Sequence, residues 1–209
     1  MLDEAEQRNA TCVFCRRADL SHILHETEHF LVLADHAPVV EGHLLILPRA
    51  HYACYGALPA ALDDEFLGVK SRVTAFCQTT YQPPVFFEHG VYHQSVFHAH
   101  LHAIPLGSFP VDISDLAALH GTPILTQEDV RAWYASRGHY FYLERLIGQR
   151  PSSEAIIFPP EGALYRRVLG LLREQTGEPG GWLPQPVRRL TGSSKIRSLA
   201  GAWQRYAKQ

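Results

Sequence analysis

Three histidines alternate with small or apolar residues in His98-Ala99-His100-Leu101-His102-Ala103-Ile104. On a strand, side chains repeat with period two, so this spacing predicts three imidazoles on one face. Buried imidazoles need polar partners, so a row of them is a poor way to build a core. The pattern points instead to metal binding or to nucleophilic and acid–base catalysis. Cys12 and Cys15, spaced Cys-x-x-Cys, read as a metal half-site or a redox pair. If both thiolates sit on one tetrahedral zinc, two further ligands are wanted. His51, just after Pro48-Arg49-Ala50, is one candidate, and one end of the His98 row is the other. Cys54 and Cys77 lie among apolar neighbours and read as small core residues.

The elements that must position these residues can be read around them. Residues 22–25 and 29–34 predict two short strands about a Glu-Thr-Glu turn, and 42–47 an apolar strand stopped by Pro48. A helix is expected over 59–79, where Leu58, Leu62, Phe66, Val69, Val73 and Phe76 recur at spacings of three and four. Strands at 85–88 and 96–104 follow, the second closed by Pro105. This order predicts an α+β fold: a mostly antiparallel sheet with a long helix packed on one face. The rest reads as a mixed α/β extension, with helices near 126–136, 161–175 and 193–207 and strands at 139–146 and 154–158. The last helix is expected to be capped by Ser193 or Ser194. Residues 105–110, 159–162 and 177–186 are Pro- and Gly-rich joints. The expected division is 1–110 and 111–209, the second part being a separate domain or wrapping the first.

Of the 209 residues 46% are apolar and 19% charged, enough for a globular core. No window approaches the roughly 18 uninterrupted apolar residues of a membrane helix. The opening Met1-Leu2-Asp3-Glu4-Ala5-Glu6 lacks the apolar run of a signal peptide, so a cytoplasmic protein without membrane attachment is expected. The net charge of −2 hides an asymmetry, with 6 Lys/Arg against 12 Asp/Glu in residues 1–110 and 13 against 9 thereafter. Beyond Glu178 come only basic charges: Arg188, Arg189, Lys195, Arg197, Arg205 and Lys208. Such a tail could meet nucleic-acid phosphates, although a solvated helix face explains it more simply.

The run Gln94-Ser95-Val96-Phe97-His98-Ala99-His100-Leu101-His102-Ala103-Ile104-Pro105 resembles the motif of the histidine-triad (HIT) superfamily of nucleotidyl hydrolases and transferases. Upstream the resemblance is carried by Cys12-Val13-Phe14-Cys15, by Phe30–Asp35, by Glu41–His51 and by the long helix, over roughly residues 12–106. It implies that His100 is the nucleophile attacking an α-phosphorus to form a nucleotidyl-histidine, and that His102 helps hold tautomer and phosphate. It implies that Gln94 and Ser95 bind phosphoryl oxygens and that Asp35 accepts hydrogen bonds from ribose hydroxyls. It further implies a structural zinc on Cys12, Cys15, His51 and His98, as in the zinc-containing branch, and a homodimer. The activity implied is hydrolysis to a nucleoside monophosphate; the alternatives are transfer of the nucleotidyl group to phosphate or a metabolite, or a nucleotide- or RNA-binding module with little turnover. Relatives often carry a Gly-Gly pair before the glutamine, where this chain has Tyr92-His93. Glu88 would repel phosphate unless turned away, protonated or paired with His89 or His93.

Overall fold

The computed structural model describes residues 11–107, 121–147, 152–177 and 183–209. The acidic opening hexapeptide and the division expected at residue 110 lie outside them. β1 (Ile23–Glu26) and β2 (Phe30–Ala34) form a hairpin in which the Phe30 amide donates to Thr27 Oγ1 at 3.2 Å. β2 pairs with β3 (Leu44–Pro48), and all ten residues of the two strands are buried. β3 pairs with β5 (Leu101–Pro105), which sets Leu45 opposite His102, and β5 pairs with β4 (Pro84–Glu88). Every pairing is antiparallel, as the α+β reading expects.

β5 is shorter than the alternating pattern predicts. The Ala99 amide donates to Tyr52 O at 2.7 Å and the His98 amide closes on Val96 O at 2.9 Å. That backbone is committed to a loop contact, so the ladder begins only at Leu101 and His102 alone of the three histidines lies in it. The helix also starts later than expected. Ala60–Leu62 form a 3₁₀ turn, and α1 spans Asp63–Thr80 with Asp63, Asp64 and Glu65 at its positive end. Its stripe of Phe66, Val69, Val73, Phe76 and Cys77 is buried against Leu44, Ile46, Phe86 and Leu101 of the sheet.

The C-terminal half adds to the same sheet. β7 (Phe141–Ile147) pairs with β4, β8 (Ser152–Phe158) with β7, and β6 (Thr122–Ile124) with β8. The eight strands run β1-β2-β3-β5-β4-β7-β8-β6. α2 (Gln127–Arg137) opens on a capping box between Thr126 and Asp129 and closes on Gly138 at φ 75°. α3 (Gly162–Gln175) buries Leu164, Val168 and Leu172 against Val85, Phe87, Phe141 and Phe158, on the face opposite α1. The long helix thus lies on one face as expected, and the extension adds a helix to the other.

α4 (Gln185–Thr191) and α5 (Ser193–Tyr206) finish the chain. α5 lays Ile196, Leu199, Ala202 and Trp203 beside α1, burying its apolar stripe in the same core. It has no serine cap; Gly192 joins it directly to α4. A Cβ at Gly192 would stand 2.6 Å from Pro38 Cδ, which is how closely this corner presses on the loop after β2. Lys195 Nζ donates to Val39 O at 3.2 Å and Ser198 Oγ to Glu41 at 2.6 Å on the same loop. Among the described residues no helix is long and apolar enough to cross a membrane.

Candidate active site and metal centre

β3, β5 and β4 turn Leu45, His102 and Phe87 toward a cavity of about 250 Å³ on the face opposite α1. His100, just ahead of β5, lines it from the loop. Its Nδ1 lies 2.6 Å from the His98 carbonyl. A carbonyl only accepts, so Nδ1 carries the proton and Nε2 keeps its lone pair. Burial lowers the His100 pKa against the favourable bond to His98, so the ring stays neutral.

His102 has the opposite arrangement. The Val39 amide donates to His43 Nδ1 at 3.3 Å, so the His43 proton is on Nε2. That nitrogen lies 2.9 Å from His102 Nδ1, which therefore accepts and leaves N–H on Nε2. Phe87 stacks on the His102 ring at 4.4 Å and 7°. Burial pushes His43 down to about 4 and His102 well below the ordinary histidine value.

Asp35, at the end of β2, lines the same cavity. Burial raises its pKa, but His43 and the Ala37 amide, 2.6 Å from Oδ1, outweigh that and hold it low. Ser95 also lines the cavity. Gln94 is turned elsewhere: its Nε2 donates to Ala53 O at 3.1 Å, and its Oε1 is buried without a hydrogen-bond partner among the described residues. His93 occupies a left-handed backbone conformation, φ 59°, where side chains are strained, and its ring stacks on Tyr165 of α3 at 5.4 Å.

Glu88 does not face this cavity. It follows Phe87 on β4 and so points to the other face, where it accepts from the Tyr55 amide at 2.9 Å and from Tyr140 Oη at 2.5 Å. Burial pushes its carboxyl up to about 8. It is turned away and paired, but with tyrosine and backbone rather than with His89 or His93.

On the far side of Phe14, Cys12, Cys15, His51 and His98 converge, their ligand atoms all within 4.8 Å of one another. His98 Nδ1 is 3.5 Å from both sulfurs, and His51 Nδ1 is 3.3 Å from Cys15 Sγ. A tetrahedral zinc with ordinary Zn–S and Zn–N bonds has S–N edges of about 3.5 Å, so the donor set fits that ion. His98 Nε2 donates to Pro48 O at 2.8 Å, which fixes the tautomer that aims a lone pair at the thiols. Burial, with Cys12 alongside, pushes the Cys15 thiol up to about 12.

A family model described as the HIT domain matches residues 16–108. A HIT-like protein of Mycoplasma pneumoniae is 30% identical over 116 residues, which are 50% of this chain and 78% of that protein. This chain belongs to the HIT family. It is also similar to the adenosine 5′-monophosphoramidase hnt1 of Schizosaccharomyces pombe, 31% identical over 52% of this chain and 92% of the relative. The adenosine 5′-monophosphoramidase HNT1 of Saccharomyces cerevisiae is 35% identical over 46% of this chain, and the chain spans 63% of that protein. Among solved structures, a zinc-bound histidine triad family protein from Mycobacterium smegmatis aligns over 61% of this chain and 96% of its own, at 24% identity and a TM-score of 0.42.

Asp35, His51, Gln94, Ser95, His98, His100 and His102 fall inside the HIT segment, and Cys12 and Cys15 just before it. Two lining groups come from far outside it: Gln185 and Arg188 of α4. Their part in the site, and that of His43, was not assigned from the sequence. A histidine heading an apolar strand was the available signal for His43. For α4 there was none, because its place depends on docking across the chain.

Proposed function

We propose that this HIT-family protein is a nucleotide hydrolase that cleaves at the α-phosphorus through a covalent nucleotidyl-His100, releasing a nucleoside monophosphate. The observation that carries this reading is the bond from His100 Nδ1 to the His98 carbonyl at 2.6 Å. It leaves a neutral, oriented nucleophile at Nε2 in a cavity of nucleotide-fragment size. His102 Nε2–H stands beside it, ring centroids 5.1 Å apart, as a donor for a phosphoryl oxygen whose charge grows in the transition state. Asp35 is a carboxylate held ionised and suits ribose hydroxyls.

In the first step the Nε2 lone pair forms the N–P bond and the bond from phosphorus to the leaving group breaks. The leaving group departs with that electron pair and, if an amine, takes a proton from water. In the second step water attacks phosphorus, the N–P pair returns to Nε2 and a proton is released to solvent. A second cavity of about 270 Å³ shares Ser95 and Val96 with the first and is walled by Val13 and Phe97 together with Cys12 and His51 of the metal cluster. Its described lining holds no lysine or arginine. The likeness to two adenosine 5′-monophosphoramidases favours phosphoramidates, and acyl-adenylates with their single α-phosphate, over dinucleoside polyphosphates. The Cys12, Cys15, His51 and His98 cluster holds zinc in this reading. These four residues would fill the shell of the ion, which would cross-link the N-terminal segment to the loops beside the site.

The test is release of nucleoside monophosphate from an adenosine phosphoramidate, an acyl-adenylate, a dinucleoside polyphosphate and a nucleotide sugar, each with and without phosphate. Turnover of the first two, independent of phosphate and absent in His100→Ala, is expected. Dependence on phosphate would make the protein a transferase, and turnover surviving in His100→Ala would end the mechanism.

A further inference from the structure

The HIT segment ends at residue 108, but the wall of the cavity does not. Gln185 and Arg188 stand three residues apart on α4 and reach the same space from one side of that helix. Arg188 is half-buried. Its Nη1 donates to the Ala37 carbonyl, and its Nε to the Leu183 carbonyl at 2.9 Å. Both acceptors are neutral, and a guanidinium has more donors than these two take up.

The other basic groups of the cavity wall are imidazoles. Burial lowers the pKa of His36, His43, His89 and His102. Among the described lining residues, Arg188 is the one fixed positive charge and Asp35 the one carboxylate. The position of Arg188 is as informative as its charge. It meets the Ala37 carbonyl, and the Ala37 amide is in turn bound by Asp35 at 2.6 Å. Arg188 therefore stands at the end of the cavity that Asp35 occupies.

A planar guanidinium matches phosphate oxygens with paired N–H donors. In dinucleotide sites a carboxylate takes a ribose hydroxyl, and an arginine nearby accommodates a phosphate carried there. We infer that the C-terminal extension completes the substrate site, and that Arg188 receives a phosphate monoester on a ribose hydroxyl, so that the preferred substrates are 2′- or 3′-phosphorylated nucleotides. Asp35 then holds the remaining hydroxyl, and the Arg188 charge offsets its repulsion of the added phosphate. The inference rests on the nucleotide reading above, with Asp35 at the ribose.

Calorimetry on the full chain tests it, titrating AMP, adenosine 2′,5′-bisphosphate and adenosine 3′,5′-bisphosphate into wild type, Arg188→Gln and Arg188→Lys. One bisphosphate is expected to bind wild type at least about tenfold more tightly than AMP. That ratio should collapse toward one in Arg188→Gln and be partly restored in Arg188→Lys, and the favoured isomer identifies the hydroxyl. Melting curves confirm that the variants are folded. A wild-type ratio near one, with AMP bound, overturns the inference alone. A preference that persists in Arg188→Gln also overturns it, because the charge would then serve something else. If neither AMP nor the bisphosphates bind, the nucleotide reading falls with it.

Discussion

His43 Nε2 lies 2.9 Å from His102 Nδ1, and the Val39 amide holds the other nitrogen of His43 at 3.3 Å. A backbone N–H therefore sets the proton on His102 through one intervening ring. A backbone carbonyl sets the proton on His100 directly. Two imidazoles 5.1 Å apart are thus given opposite roles, a lone pair on one and an N–H on the other. Sequence spacing cannot show this, because it depends on which backbone group each ring meets.

Replacing His43 with leucine breaks this relay without touching His100, the proposed nucleophile. The expected result is a fall in kcat of roughly 10²-fold on adenosine 5′-phosphoramidate, with the melting transition still cooperative. Unchanged kcat would show that the His102 tautomer is held by other means.

The metal cluster predicts one zinc per chain in protein purified without chelator, measured by atomic spectroscopy. Cys15→Ala and His51→Ala should each lower that content. Stripping the metal should lower Tm by roughly 10 °C or more, since such a site contributes directly to folding. Active protein free of metal would refute the site.

Asp35→Ala should weaken AMP binding by about 10- to 100-fold, the range of a charge-assisted hydrogen bond. Methyl phosphate, which has no ribose, should bind the variant and the wild type alike in competition assays. Equal losses on both ligands would place Asp35 at the phosphate instead.

Glu88 makes stability depend on pH. Its carboxyl is raised by burial from 4.5 to about 8 in the folded chain. Between those values the unfolded chain binds fewer protons than the folded one, so stability falls as pH rises through that window. Glu88→Gln, which keeps an acceptor for the Tyr55 amide, should flatten the decline of Tm between pH 5 and pH 8. A decline as steep in the variant as in wild type would assign it to other groups.

Much of the scaffold is legible because each element carries its own signal. β2 and β3 are short apolar runs bounded by turn residues or proline, and α1 repeats its apolar residues at helical spacing. The residues proposed to hold zinc are legible as residue types at recognisable spacings, and His98 joins them although it does not lie on the strand that the alternation predicts. Glu88 is ambiguous in the sequence, because proximity to the triplet says nothing of facing; the pairing of Phe87 with His102 settles it by strand alternation. Arg188 is not legible at all. Pro184 and Pro186 flank the start of a short helix in what reads as a Pro- and Gly-rich joint. Its reach into the cavity depends on the approach of Gly192 to Pro38, a contact between segments more than half the chain apart in sequence.

The central claim is that His100 carries the nucleotide covalently. The most direct measurement is intact-protein mass spectrometry after rapid quenching of full-length protein mixed with adenosine 5′-phosphoramidate. The account predicts a population heavier by one adenylyl group, mapped to the peptide containing His100 and absent in His100→Ala. Rapid release of AMP with no adduct at any quench time, or an equal adduct in His100→Ala, would contradict it.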